Sequence, residues 1–453
     1  MGRGELALLR FQFGAITNCR GSSICGGAVS VVIAAAGAET RRNSFSSSVN
    51  ALPMASPIKS AFLQVHSIIG LAIALVVALM GLTGAMLSFE DEIVAALNRD
   101  VAKVEVRPAP LLTPDEIVAR LQSQPGAGKV QLMLLSSEPG ATVRARFARN
   151  AAGERSSVFV DPYDGRVLSS VSGEGFFATL RNLHRFLLLP GNGNGYGRLI
   201  TGVCAIGLLV LLISGMVLRW PRRVRSIKMW LKPNLAMPGR AFHWSLHSVV
   251  GTWVLPIYVI TILTGLWWSF DWYKVSATWL LSSKPPVAAK APAKAKGEAK
   301  GGAKSGDAAE SAMAPPLDRA WATFLAEQGN LYANVYLLVP NGAGPVRLRS
   351  LAKDAPHDVA RDDFRIDGAT GRVIAVERYA DKSIGDSILQ RVLQIHTGAA
   401  FGLVGRILFM ISAALMPLFM VTGFILYLSR RKLRAQSKPS RNHRRAAGLV
   451  AGE

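Results

Sequence analysis

Five of the seven histidines, His66, His184, His243, His247 and His396, fall at the ends of long apolar stretches. An ionisable side chain at membrane depth is costly to keep there, so such positions usually carry function. His66 follows Lys59 by seven positions and His247 follows Arg240 by seven. At 1.5 Å per helical residue, both lie about 10 Å inward of a basic anchor. The two are related by an internal repeat, because His66-Ser67 with Gly70 matches His247-Ser248 with Gly251. His184 and His396 form a second related pair, preceding Gly197-Arg198 and Gly405-Arg406. His184 shares a helical stripe with Phe176, Phe177, Leu180, Leu183, Leu187 and Leu188, which turns it towards membrane or protein. Two imidazoles from facing helices are what a b-type haem needs as axial ligands. Gly70, Gly251, Gly398, Ala399 and Ala400 leave room for a porphyrin face. The plainer reading is interfacial histidines bonded to backbone carbonyls. Zinc is disfavoured, since it wants a third or fourth protein ligand at one point. His243 lies four residues before His247 on the same helical face and has no mate in the first half, where Phe62 stands. It reads as a contact to the inner ligand or to a haem propionate; the alternative makes it the ligand itself. His357 and His443 read as surface residues.

Four apolar stretches must position these side chains, at 61–89, 199–220, 248–270 and 405–428. Each is long enough to cross a hydrocarbon core of about 30 Å. The 221–247 loop and its borders carry Arg219, Arg222, Arg223, Arg225, Lys228, Lys232 and Arg240, and Arg430, Arg431, Lys432 and Arg434 follow the fourth stretch. Glu90, Asp91, Glu92 and Asp271 mark the opposite ends. This bias places the loop and both termini in the cytoplasm. Between the spans, 156–170 and 363–377 each read as strand, tight turn, strand, with Gly165 and Gly371 in the turns. Helices are expected at 111–121 and 317–328, the first opened by Thr113-Pro114-Asp115-Glu116. Arg181, Arg185, Arg198 and Arg406 lie near the outer histidines as propionate partners or as snorkelling interfacial residues. Trp267, Trp268, Trp272 and Tyr273 form an aromatic belt there.

The repeat extends further. Leu82-Thr83-Gly84 matches Leu263-Thr264-Gly265, and Asp161 with Gly165-Arg166-Val167 matches Asp367 with Gly371-Arg372-Val373. The expected fold is therefore a membrane α-helical, four-helix transmembrane bundle built from two parallel repeats, each with an inserted periplasmic α+β domain. The segments are 1–56, an N-terminal extension read as disordered, with Met54 as the expected start and a targeting segment around Val31–Ala36 as the alternative; 57–90, the first span; 91–174, the first outer domain; and 175–220, an amphipathic segment and second span. Then come 221–242, the cytoplasmic loop; 243–271, the third span; 272–316, a connection with a Lys/Ala/Pro linker expected to be disordered; 317–383, the second outer domain; 384–429, an amphipathic segment and fourth span; and 430–453, a basic tail.

The net charge of +23 has simple sources in basic loops, linker and tail, and no nucleic-acid-binding motif accompanies it. The three cysteines, Cys19, Cys25 and Cys204, form no CxxC or CxxCH, which argues against covalent c-type haem and cysteine-held clusters.

These residues carry a resemblance. His66-Ser67, Leu82-Thr83-Gly84 and Ser88-Phe89-Glu90, Leu183-His184-Arg185 running to Pro190-Gly191-Asn192-Gly193, Arg219-Trp220-Pro221, and Phe242-His243-Trp244 with Leu246-His247 together resemble the PepSY-associated transmembrane family. The strand-Asp-turn-Gly-Arg-Val units resemble PepSY domains. The resemblance covers about residues 57–432. It implies a multi-pass protein of the bacterial inner membrane linked to iron, some relatives being ferric-siderophore reductases with two b-type haems. By that resemblance His66 with His247 would hold a cytoplasmic-side haem, and His184 with His396 a periplasmic-side haem. Some relatives carry a fused flavin reductase domain. Here only a basic tail follows the last span, so the electron donor is expected to be separate.

The expected function is a di-haem b conduit that takes electrons from a flavoprotein or quinol and passes them to a periplasmic ferric siderophore, the iron carrying the redox change. The alternative is a non-enzymatic, membrane-anchored PepSY module that binds or regulates a periplasmic partner. A transporter is disfavoured by the near absence of charge within the spans.

Overall fold

The computed structural model describes residues 57–124, 128–150, 153–220, 225–282, 316–342 and 344–437. The expectations for the N-terminal extension, for most of the Lys/Ala/Pro linker, for the end of the basic tail and for His443 lie outside the described residues.

Among the described residues, four helical stretches are long and apolar enough to cross a membrane: α1 (Pro57–Leu87), α5 (Tyr196–Arg219), α7 (Gly239–Ser269) and the run Ala399–Gln436. Shorter helices connect them: α2 (Glu90–Leu97), α3 (Pro114–Gln122), α4 (Glu174–Phe186), α6 (Ile227–Leu231), α8 (Asp271–Ser282), α9 (Leu317–Gln328), α10 (Ile384–Gln390) and α11 (Val392–Thr397). The bundle is a ring in which α1 packs on α5, α5 on α7, α7 on the last helix, and the last helix on α1. α1 and α7, which carry His66 and His247, are therefore diagonal across it.

The fourth span is broken where the sequence suggests one helix. α12 (Gly402–Ala414) and α13 (Met416–Ser437) meet at Leu415. Pro417 supplies no N–H for the Ala413 carbonyl, and its ring disfavours the helical conformation at the residue before it. The break is held from two sides. The Tyr258 hydroxyl of α7 donates to the Ser412 carbonyl at 2.6 Å. Gly81 of α1 lies so close that a Cβ there would sit 2.6 Å from the Ala413 oxygen and 2.5 Å from Met416.

Beyond one end of the bundle stands a single antiparallel sheet of β1 (Val130–Ser136), β2 (Val143–Phe147), β3 (Ser157–Val160), β4 (Val167–Ser170), β5 (Tyr332–Leu338), β6 (Val346–Ala352), β7 (Arg361–Ile366) and β8 (Val373–Glu377), in the order β4-β3-β2-β1-β5-β6-β7-β8. The two strand-bearing segments are not structurally separate, as a reading by halves suggests. β1 pairs with β5, Met133 opposite Leu337 and Leu135 opposite Val335, so each half satisfies the other's open strand edge. Alternate residues Met133, Leu135, Val335 and Leu337 face α3 and α9 and form a core with Ile117, Leu121, Phe324 and Phe364. The two helices cap each other. Asp115 accepts from the backbone N–H groups of Leu317 and Asp318, and Asp318 accepts from that of Asp115. Each carboxylate thus sits at a helix N-terminus, where orphan donors and dipole favour it.

Candidate functional site: two histidine pairs

On the side of the bundle away from the sheet, His66 of α1 and His247 of α7 approach with ring centres 6.3 Å apart and planes at 76°. The His66 Nδ1 bonds to the Ser214 hydroxyl at 2.9 Å, and the His247 Nδ1 to the Thr422 hydroxyl at 2.8 Å. Nearer the sheet, His184 of α4 and His396 of α11 lie 6.5 Å apart with planes at 72°. The His184 Nδ1 bonds to the Thr83 hydroxyl at 3.1 Å and the Met80 carbonyl at 3.0 Å, and the His396 Nδ1 to the Thr264 hydroxyl at 2.9 Å.

These hydroxyls set the tautomers. Each donates its own proton to the carbonyl four residues back in its helix: Ser214 to Val210, Thr422 to Leu418, Thr83 to Leu79 and Thr264 to Ile260. What each presents to the imidazole is a lone pair, so Nδ1 carries the hydrogen and Nε2 keeps a free lone pair. This is the arrangement by which proteins orient metal-ligating histidines. All four rings are half-buried.

The residue after each hydroxyl is glycine. A Cβ at Gly84 would stand 3.1 Å from the His184 Cε1, at Gly215 3.3 Å from that of His66, at Gly265 3.3 Å from that of His396, and at Gly423 3.6 Å from that of His247. Each span therefore carries one Ser/Thr-Gly step that bonds and cradles an imidazole from a neighbouring helix. The sequence reading found Thr83-Gly84 and Thr264-Gly265 only as repeat markers and missed Ser214-Gly215 and Thr422-Gly423. The sequence carries a partial signal, an aliphatic residue before each step (Leu82, Ile213, Leu263 and Val421), but α5 also contains Ile200-Thr201-Gly202, whose hydroxyl bonds to the Arg185 carbonyl and not to an imidazole.

The spacing within each pair has a metric consequence. Two imidazoles bound to one metal from opposite sides, each with a metal–nitrogen bond of about 2.0 Å and a ring centre about 1.2 Å beyond the nitrogen, have centres about 6.4 Å apart. The observed 6.3 and 6.5 Å match that value. Edge-to-face aromatic contact also spans this range, but it does not require four separate Nδ1 acceptors. Among the described residues no group of three or more His, Cys, Asp or Glu is placed to hold a metal. The donor set is two nitrogens per site, which suits a metal whose remaining ligands come with it, as in a porphyrin. Thr83 and Thr264 each lie 17 positions after the histidine of their own helix (66 to 83, 247 to 264), about 25 Å along the axis.

The profile of the PepSY-associated TM region matches residues 63–430 of this 453-residue chain. The chain belongs to the PepSY-associated transmembrane family. Among curated proteins none matches it. As a member of this family it contains both histidine pairs, all four Ser/Thr-Gly steps and the whole sheet within the matched span.

The other predicted residues divide. No ring contact joins His243 to either pair; its ring lies beside Phe242, and its Nδ1 is buried without a hydrogen-bond partner. Arg181 pairs with Glu90, Arg406 with Glu92, and Arg198 with Asp271 at 2.7 Å, so three of the four expected propionate partners already tie helix ends together. Arg185 makes no ion pair among the described residues. Burial pushes its guanidinium below the usual pKa, with repulsion from Arg198 and Arg181 adding to the effect. Trp268 packs against His396 with ring centres 5.5 Å apart, and His357 bonds to the Tyr379 hydroxyl at 2.9 Å. α4 ends in two consecutive left-handed residues, Leu187 and Leu188, a costly conformation for branched side chains that turns the chain back into α5.

Proposed function

We propose that this protein is a two-haem electron conduit of the bacterial inner membrane, with both termini in the cytoplasm. In this reading the bundle is two parallel repeats, and the sheet is a fused pair of periplasmic PepSY-like domains. His66 and His247 would hold a cytoplasmic-side haem b, and His184 and His396 a periplasmic-side haem b. The observation that carries the reading is the repeated pair: two imidazoles from different helices with ring centres 6.3 and 6.5 Å apart, each with its Nδ1 bonded to a hydroxyl and its Nε2 left available.

When bound, haem supplies one-electron chemistry at each site. The chain's own part is positional. Ser214, Thr422, Thr83 and Thr264 lock the tautomers and raise the basicity of the ligating nitrogens. The four glycines admit the rings, and Arg185 offers a cation for a propionate at the outer site. The donor is a flavoprotein or quinol, and the acceptor a periplasmic ferric siderophore, whose iron is held less tightly by hard oxygen ligands once reduced. The terminal reaction is then ferric-siderophore reduction in iron uptake.

The test is a reduced-minus-oxidised visible spectrum of protein purified from haem-replete cells. Two b-type haems per chain are expected, one lost in His184→Ala or His396→Ala and the other in His66→Ala or His247→Ala. A colourless protein refutes the proposal and leaves a membrane-anchored binding module. Retention of both haems in all four variants refutes the ligand assignment.

A further inference from the structure

Beside the outer histidine pair, the turn from α10 through α11 into the 3-10 turn Ala399–Phe401 encloses a pocket of about 380 Å³. Its walls include Ile384, Ile388, Ile395 and Phe401, and its charged groups are Lys382 and Arg391. Neither cation is in an ion pair among the described residues. Lys382 donates to the Gln390 side chain at 2.6 Å and Arg391 to the Ala400 carbonyl at 3.3 Å, and the Arg391 Nε has no partner. Among the described residues no carboxylate lines the pocket. Two uncompensated cations over an apolar floor call for an anion with an apolar body.

The surroundings identify which one. Ile384 of α10 is 83% exposed, and Phe401 (55%), Leu403 (65%) and Val404 (71%) lie at the start of the fourth span. Such a strip beside a membrane helix is covered by acyl chains, which places the pocket at the headgroup level of the leaflet on the sheet side. The first half supplies a contrast. Ile388 stands 8 positions before His396, and Phe176 stands 8 before His184. The pocket beside Phe176 has different walls, Met86, Ile93, Leu97, Gly173 and Phe177, and all are without charge.

We propose that the Lys382–Arg391 pocket binds the phosphate headgroup of an anionic phospholipid, whose acyl chains run down Leu403 and Val404. Arg391 and Lys382 contribute charge and N–H donors to the phosphate, and the isoleucines receive the glycerol and upper chain. This does not depend on haem.

The full chain in nanodiscs of phosphatidylcholine doped with phosphatidylglycerol is assayed by native mass spectrometry. Each interfacial cation contributes about 1 kcal/mol towards an anionic lipid, so the expected enrichment of phosphatidylglycerol is about 30-fold, equivalent to about 2 kcal/mol. Lys382→Gln/Arg391→Gln abolishes it, Lys382→Arg/Arg391→Lys retains it, and Ile388→Glu, which leaves both cations in place, lowers it by repulsion. Equal retention of phosphatidylglycerol by wild type and the glutamine variant overturns the proposal. Displacement of the lipid by millimolar inorganic phosphate also overturns it, because the pocket then serves a soluble anion.

Discussion

Thr422→Val isolates what a hydroxyl does for an imidazole it does not resemble. Thr422 is 3% exposed, gives its proton to the Leu418 carbonyl at 2.7 Å and receives the His247 Nδ1 hydrogen at 2.8 Å. Valine has nearly the same shape, so no cavity opens and only the polar term changes. Leaving the Nδ1–H without an acceptor in the interior costs about 1–3 kcal/mol. By a separate route, loss of the partner that orients a metal-ligating histidine lowers metal affinity about 10–100-fold. At about 1.4 kcal/mol per tenfold that is about 1.4–2.8 kcal/mol, and the two estimates agree. The assay is haem transfer from purified protein to excess apomyoglobin, followed by the visible spectrum. On the two-haem proposal, the haem held by His66 and His247 should leave about 10–100 times more readily, the one held by His184 and His396 serving as internal reference because Thr83 and Thr264 are untouched. Thr422→Ser, which keeps the hydroxyl, should behave as wild type. Unchanged release from the valine variant, or equal loss from the serine variant, would refute the tautomer argument.

Gly81→Ala should destabilise the bundle by about 1–3 kcal/mol, since its Cβ would meet the Ala413 oxygen at 2.6 Å, whereas Gly70→Ala, with Leu211 3.7 Å away, should be near neutral; thermal denaturation in detergent compares them. Tyr258→Phe leaves the Ser412 carbonyl with only the long bond from the Leu415 N–H and should cost about 1 kcal/mol by the same measurement. Burial opposes ionisation of Asp363, but hydrogen bonds from Arg347 and Arg349 outweigh it and hold the carboxyl below its usual pKa. A depressed folded-state pKa means that the unfolded chain binds the proton first as pH falls. The stabilisation is therefore whole above pH about 4 and disappears as pH drops through the folded value. Acid titration of unfolding should show the advantage of wild type over Asp363→Asn vanishing at low pH; a difference that persists unchanged there would count against the pairing.

Much of this protein was legible in its sequence because the bilayer imposes length. Runs of about 20 apolar residues with no water to satisfy the backbone have to be helices, and the repeated positions of His66 and His247, and of His184 and His396, single out four imidazoles without any coordinates. Alternation and Gly165 and Gly371 mark the strands in the same local way. Tertiary structure decided what depends on pairs of distant residues. That β1 joins β5 follows from edges meeting across about 200 positions, and nothing within either segment announces it. The break at Leu415 has a local cause in Pro417, yet its tolerance depends on Tyr258 and Gly81 arriving from other helices. Likewise the Ser/Thr-Gly steps are ordinary helix composition when read singly. Only packing, which brings each against one imidazole with its hydroxyl proton already committed to its own helix, turns four common dipeptides into the devices that hold the four nitrogens open.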